Sequence, residues 1–173
     1  MLFRNRIILT YYSVLLYIVF IGITYCGDLM KIYTEVQNHY GKLYLGTVLV
    51  SDQDQIYMAN GNELQTKDID QAYINGVRRA LCFVKCNKPL YANGDITIYT
   101  SKHYQKPYDS DAFEEKLMND EYIQNFVNER GLEITHNKDE FNEFDKQMLL
   151  NASNQIRWTQ HNQFMRKMTD KVR

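Results

Sequence analysis

Proline-rich or low-complexity linkers are what the sequence lacks first. Two prolines in 173 residues, and no biased stretch, leave no obvious boundary between domains. With 45% hydrophobic residues, a chain of this length can bury one sizeable core but not two. No internal repeat is present, which excludes a solenoid. Net charge is also nearly absent, at -1. Residues 1–29 hold Arg4, Arg6 and Asp28, so residues 30–173 keep 18 basic and 20 acidic side chains, and no bulk positive field points to nucleic acid. Cysteine is scarce too: Cys26, Cys82 and Cys86 make an odd count. Cys82 and Cys86 stand at helical spacing with no second Cys/His pair to complete a zinc set, so both are expected as reduced, partly buried thiols.

What is there begins with one uncharged run. Ile7 to Cys26, preceded by Arg4 and Arg6, is apolar and long enough to cross a bilayer as a hydrophobic helix. It reads as a signal anchor or uncleaved signal peptide, because Tyr25 before Cys26 spoils a small-residue cleavage site. Met30 supports a second reading, in which residues 1–29 are an over-extended start. The first reading implies a membrane-anchored protein and the second a cytoplasmic one. The nucleotide sequence upstream of Met30 separates them.

Residues 30–173 read as one α/β domain. Met30 to Val36, Leu43 to Val50 and Gln55 to Asn60 suit strands, separated by the turn clusters Asn38-His39-Tyr40-Gly41 and Ser51-Asp52-Gln53-Asp54. This predicts an antiparallel meander. Thr66 and Asp68 can cap a helix with Ile69, Ala72, Tyr73, Val77, Ala80, Leu81 and Val84 on its apolar side. Gly76 within it implies close approach to the sheet. After Asn93-Gly94, residues Asp95 to Thr100 alternate as a fourth strand, which a helical crossover places parallel to the first. Lys102 to Ser110 reads as a loop, Asp111 to Glu129 as a helix stopped by Gly131, and Leu132 to Thr135 as a fifth strand. A final helix is predicted to about Met168, with Phe144, Met148, Leu149, Ala152, Ile156, Trp158 and Phe164 available for packing.

Four short strings resemble ribonuclease H. Ile32-Tyr33-Thr34-Glu35 resembles the apolar-aromatic-Thr-Asp end of that family's first strand, with Glu35 at the acidic position. Ile69-Asp70 and Val77-Arg78-Arg79-Ala80-Leu81 are similar to its first helix, with Asp70 as the acid. Thr100-Ser101-Lys102-His103-Tyr104 resembles a Thr-Asp-Ser-x-Tyr string, with Ser101 standing where the family has a carboxylate. Thr135-His136 and Asn142-Glu143-Phe144-Asp145 resemble the loop histidine and the Asn-Glu-x-x-Asp opening of the last helix. The resemblance implies a five-stranded mixed sheet, three antiparallel strands and then parallel ones, flanked by helices. It also implies a site built from Glu35, Asp70, Ser101, Asp145 and His136.

The activity implied by the resemblance is metal-dependent cleavage of the RNA strand of RNA/DNA hybrids. Such cleavage uses carboxylates to hold two divalent cations, magnesium or manganese, which activate water and stabilise the leaving oxygen. Glu35, Asp70 and Asp145 are the candidate metal ligands. Magnesium demands close-fitting octahedral oxygen donors, whereas Glu35 is one methylene too long and Ser101 supplies no charge. Each residue also has a plain structural reading. Asp70 suits a first-turn helix acid, Asn142 and Asp145 suit solvated helix residues, and His136 suits a surface or capped imidazole. Lys67, Arg78, Arg79, Lys85 and Lys88 suit a solvated helix face or a phosphate contact. Three functions are expected to compete: a nucleic-acid-associated domain with weak or lost hydrolysis, an active divergent hybrid endonuclease, and a membrane-anchored interaction domain without catalysis.

Overall fold

The computed structural model describes residues 29–51, 53–87, 95–101 and 109–172. The apolar run Ile7 to Cys26, Lys88, Asn93-Gly94 and Lys102-His103-Tyr104 lie outside the described residues. Three strands come first, β1 (Met30–His39), β2 (Lys42–Ser51) and β3 (Ile56–Leu64), followed by helix α1 (Ile69–Cys86) and strand β4 (Ile96–Thr100). Then come α2 (Ser110–Met118), α3 (Glu121–Arg130), β5 (Ile134–His136) and the long α4 (Glu143–Val172). Among the described residues no helix is long and apolar enough to cross a membrane.

The five strands form one sheet in the order β3-β2-β1-β4-β5. β1 pairs antiparallel with β2, and β2 with β3, while β1 with β4 and β4 with β5 are parallel. Tyr40 and Gly41 both take positive φ, 50° and 75°, which is the two-residue turn that lets β1 fold back on β2 without splaying. The β3 ladder runs further than its hydrophobic pattern predicts, to Leu64, because Gly46 pairs with Gly61 and the backbone bonds continue past them.

The two sheet faces have separate cores. Ile32 and Val36 of β1, Ile96 and Ile98 of β4, and the apolar side of α1 belong to one, closed by Phe113, Leu117, Ile123 and Phe126 of α2 and α3. Tyr33, Val48 and Val50 belong to the other, covered by Phe141, Met148, Leu149 and Ala152. Period-two alternation therefore puts Glu35 on the α4 face, beside Tyr33. Asp68, not Thr66, caps α1: its carboxylate accepts from the N–H groups of Asp70 and Gln71 at 2.8 and 3.2 Å. A Cβ on Gly76 would stand 2.7 Å from Thr34 Cγ2, so the expected close approach of α1 to the sheet is real.

Four expectations are corrected. The helix predicted over Asp111 to Glu129 is two helices, broken at Asn119-Asp120, because Asp120 caps α3 through the Ile123 N–H and is gripped by Arg78. Ile69 faces solvent rather than the core, since it sits at the outer start of α1. Cys82 and Cys86 are free but exposed, because their helix positions fall outside the stripe of Val77, Ala80, Leu81 and Val84. Trp158 and Phe164 do not pack: they lie on the side of α4 turned away from the sheet.

Candidate active site

β4 ends beside the middle of β1, with Thr34 paired to Thr100, so Glu35 and Ser101 follow as neighbours. Glu35 is half-buried. Burial pushes its carboxyl above the usual range, and the Ser101 hydroxyl and the Gln37 amide only partly offset this. Gln37 Nε2 is 3.5 Å from Glu35 Oε1 and donates to Ser153 Oγ of α4 at 2.7 Å, so the glutamate sits at the seam between sheet and helix. Ser101 Oγ is 2.7 Å from the hydroxyl of Tyr73. Tyr73 is fully buried in α1, and only its hydroxyl tip meets the serine. The result is a contiguous polar string of Tyr73, Ser101, Glu35, Gln37 and Ser153.

Asp145 lies in the first turn of α4, on the same face as Glu35, and is 3% exposed. Its Oδ1 accepts the Tyr33 hydroxyl at 2.7 Å and its Oδ2 accepts the Asn142 N–H at 3.3 Å. Asn142 Oδ1 in turn accepts the Asp145 N–H at 2.9 Å, a reciprocal cap that fixes the start of the helix. Burial, then the Asp145 carboxylate, holds the Tyr33 phenol far above its ordinary pKa. Tyr99, stacked on Tyr33 at 4.6 Å, shifts upward for the same two reasons.

Asp70 takes its place one turn before Tyr73, where Lys116 Nζ of α2 donates to its Oδ2 at 2.6 Å. His136 is the last residue of β5 rather than a loop residue. It is buried on the α1 face, with Nε2 3.1 Å from Thr100 Oγ1 and its ring edge-on to Phe113. Asp145 and His136 therefore occupy opposite faces of the sheet. Among the described residues there is no group of three or more His, Cys, Asp or Glu side chains placed to hold a metal ion. The basic residues of α1 are partly neutralised: Arg78 pairs with Asp120 and Lys85 with Glu129.

Tyr73 is the member of this site that its sequence pattern does not announce. By spacing it belongs to the apolar helix face, and the one available signal is its place one turn past the cap, on the stripe that meets the sheet. The raised Glu35 pKa carries a sign. A carboxyl that binds its proton more tightly when folded adds stability at acid pH and loses it as pH rises through the folded pKa. Glu35→Gln should therefore raise the thermal midpoint at pH 7 and leave it nearly unchanged at pH 4; equal effects at both would refute a buried, reluctant carboxylate.

The sheet order, the antiparallel and then parallel pairing, and the helices after β3, β4 and β5 define an α/β domain of the ribonuclease H-like fold. No protein-family model matches the chain, and neither does any curated protein. Among solved structures it is similar to ribonuclease H1 of the halophilic archaeon Halobacterium salinarum NRC-1, at 17% identity over 73% of this chain and 98% of that one, TM-score 0.45. It is similar to LC11 ribonuclease H1 in complex with an RNA/DNA hybrid, at 14% identity over 69% and 92%, TM-score 0.45. A foamy viral protease-reverse transcriptase in complex with double-stranded DNA gives 14% identity over 77% and 96%, TM-score 0.47.

Proposed function

We propose that residues 30–173 form a ribonuclease H-like, nucleic-acid-associated domain whose hydrolysis of RNA/DNA hybrids is weak or lost. One observation carries the loss: the spot where carboxylates would have to converge is filled by a hydroxyl pair, Ser101 with Tyr73. The donor set around it does not fit two magnesium ions. Ser101 brings no charge, burial raises the pKa of the Glu35 carboxyl, and Asp145 is buried with both oxygens already accepting hydrogen bonds. Support for a nucleic-acid partner comes from the four strings that resemble ribonuclease H. Two of these, the ones that carry Glu35 and Ser101, meet where β1 pairs with β4.

Incubating the full chain with a labelled RNA/DNA hybrid in magnesium or manganese should give little cleavage. Robust cleavage abolished by Glu35→Gln or Asp145→Asn would overturn the reading. The geometry also says where acids are missing. Ser101→Asp with Glu35→Asp should restore some activity, and adding Tyr73→Glu should raise it further, because position 73 is where α1 reaches the strand end.

A further inference from the structure

Helix α4 has two apolar sides. One is buried on the sheet through Met148, Leu149, Ala152 and Ile156. The other, turned to solvent, carries Trp158 at 63% exposure and Phe164 at 59%, followed by Met165 and Met168. Near the end of the contact between α4 and the sheet, the Tyr44 hydroxyl donates to Gln163 Oε1, and every residue from Phe164 to Thr169 is exposed, so this end of the helix projects off the domain. Charge on it is one-sided. Between Asp145 and Asp170 there is no acidic residue, while Lys146, Arg157, Arg166 and Lys167 are basic. Lys146 is bonded to Glu143, and Lys167 lies near enough to Glu63 to lower that carboxyl. Arg157 and Arg166 make no ion pair among the described residues.

Polar groups also lie inside the apolar strip. At 100° per residue, Arg157 and His161 fall between Trp158 and Phe164, and the His161 ring meets Trp158 edge-on at 6.5 Å. A strip interrupted by a guanidinium and an imidazole is poorly suited to sinking into hydrocarbon. Its unopposed positive charge also disfavours a second copy of itself. Exposed rings alternating with cations suit a polyanion whose own flat groups can stack on them.

We propose that Arg157, Trp158, His161 and Phe164 form a binding strip for unpaired nucleotides, with Trp158 and Phe164 stacking bases and Arg157 meeting a phosphate. The strip rests on the nucleic-acid reading above and adds to it a place and a class: single strands, or the single-stranded flank of a hybrid.

Trp158 is the only tryptophan in the chain, so its emission reports directly on the strip. The full chain is titrated with labelled oligothymidylate while probe anisotropy and tryptophan emission are followed together. Emission should be quenched in step with the anisotropy rise. Phe164→Ala should weaken binding by at least about five-fold. Arg157→Ala should reduce the slope of log K against log salt by about 0.7, the amount expected for one lost phosphate contact. Thermal midpoints should stay put, since all these side chains are exposed. Binding with silent emission and unaffected variants would overturn the strip and leave the nucleic-acid reading standing. Failure to bind both oligothymidylate and RNA/DNA hybrid would end both. An emission change with phosphatidylglycerol vesicles, or self-association lost in Trp158→Ala, with no response to oligothymidylate, would overturn the strip in favour of lipid or a second copy.

Discussion

Gly46→Ala is expected to destabilise the domain by about 4 kcal/mol, at the upper end of what single substitutions do. A Cβ at this position would lie 1.9 Å from the carbonyl oxygen of Ala152, and a backbone atom in mid-helix cannot swing aside as a side chain can. Its cross-strand partner Gly61 is in the same position, with a Cβ 2.2 Å from the Gln155 carbonyl oxygen. Two facing glycines thus make a channel in β2 and β3 for α4 to lie in. An added methyl must lift the helix and forfeit its contacts with Val48 and Val50. Urea denaturation followed by circular dichroism measures the loss, with Gly131→Ala as a control. That glycine takes φ 63° as the stop of α3 with open space around it, so its replacement should cost only about 1 kcal/mol. A Gly46→Ala protein within 1 kcal/mol of the parent would mean that α4 does not sit where the channel requires.

Tyr33→Phe should cost about 2 to 3 kcal/mol, because it strips a hydrogen bond from a carboxylate that is 3% exposed and keeps only the Asn142 N–H. Loss of a phenol from the surface would cost almost nothing, so the size of the effect tests the burial itself. The sharper measurement is the double-mutant cycle with Asp145→Asn. Asparagine keeps the shape and removes the charge that needed the phenol, so Tyr33→Phe should be milder in that background by about 1.5 kcal/mol or more. Additive losses would show that the two side chains do not depend on each other. Asp145 would then be released from its role as a structural acid and returned to the list of groups available for chemistry.

Much of the architecture could be read from residue order because the physical signals were local. The Tyr40-Gly41 turn, the Asp68 cap and the alternation in Ile96 to Thr100 each act within a few residues, and together they imply the parallel pairing of β1 with β4. The signals that misled were tertiary. Asn60, Gly61, Asn62 and Glu63 have no strand-like alternation, yet β3 continues through them because Gly61 pairs with Gly46 of β2 and both lie directly under α4. Asn119-Asp120 looks like ordinary helix surface until Arg78, more than forty residues earlier, supplies the guanidinium that makes Asp120 a cap. The site divides the same way. The adjacency of Glu35 and Ser101 follows from strand pairing, while Tyr73 could not be distinguished from core, because whether a tyrosine hydroxyl finds a partner depends on what lies beyond the edge of the sheet.

The way Phe141 and α4 cover the second face of the sheet has a consequence for synthesis on the ribosome. Tyr33, Val48 and Val50 are made more than ninety residues before Met148 and Ala152, the groups that shield them. A nascent chain that has completed its meander, and even its first crossover, therefore still presents a greasy, strand-rich plane to the surrounding milieu. Completion of the last helix is the event that closes it, and a polypeptide released early would be left sticky on that side.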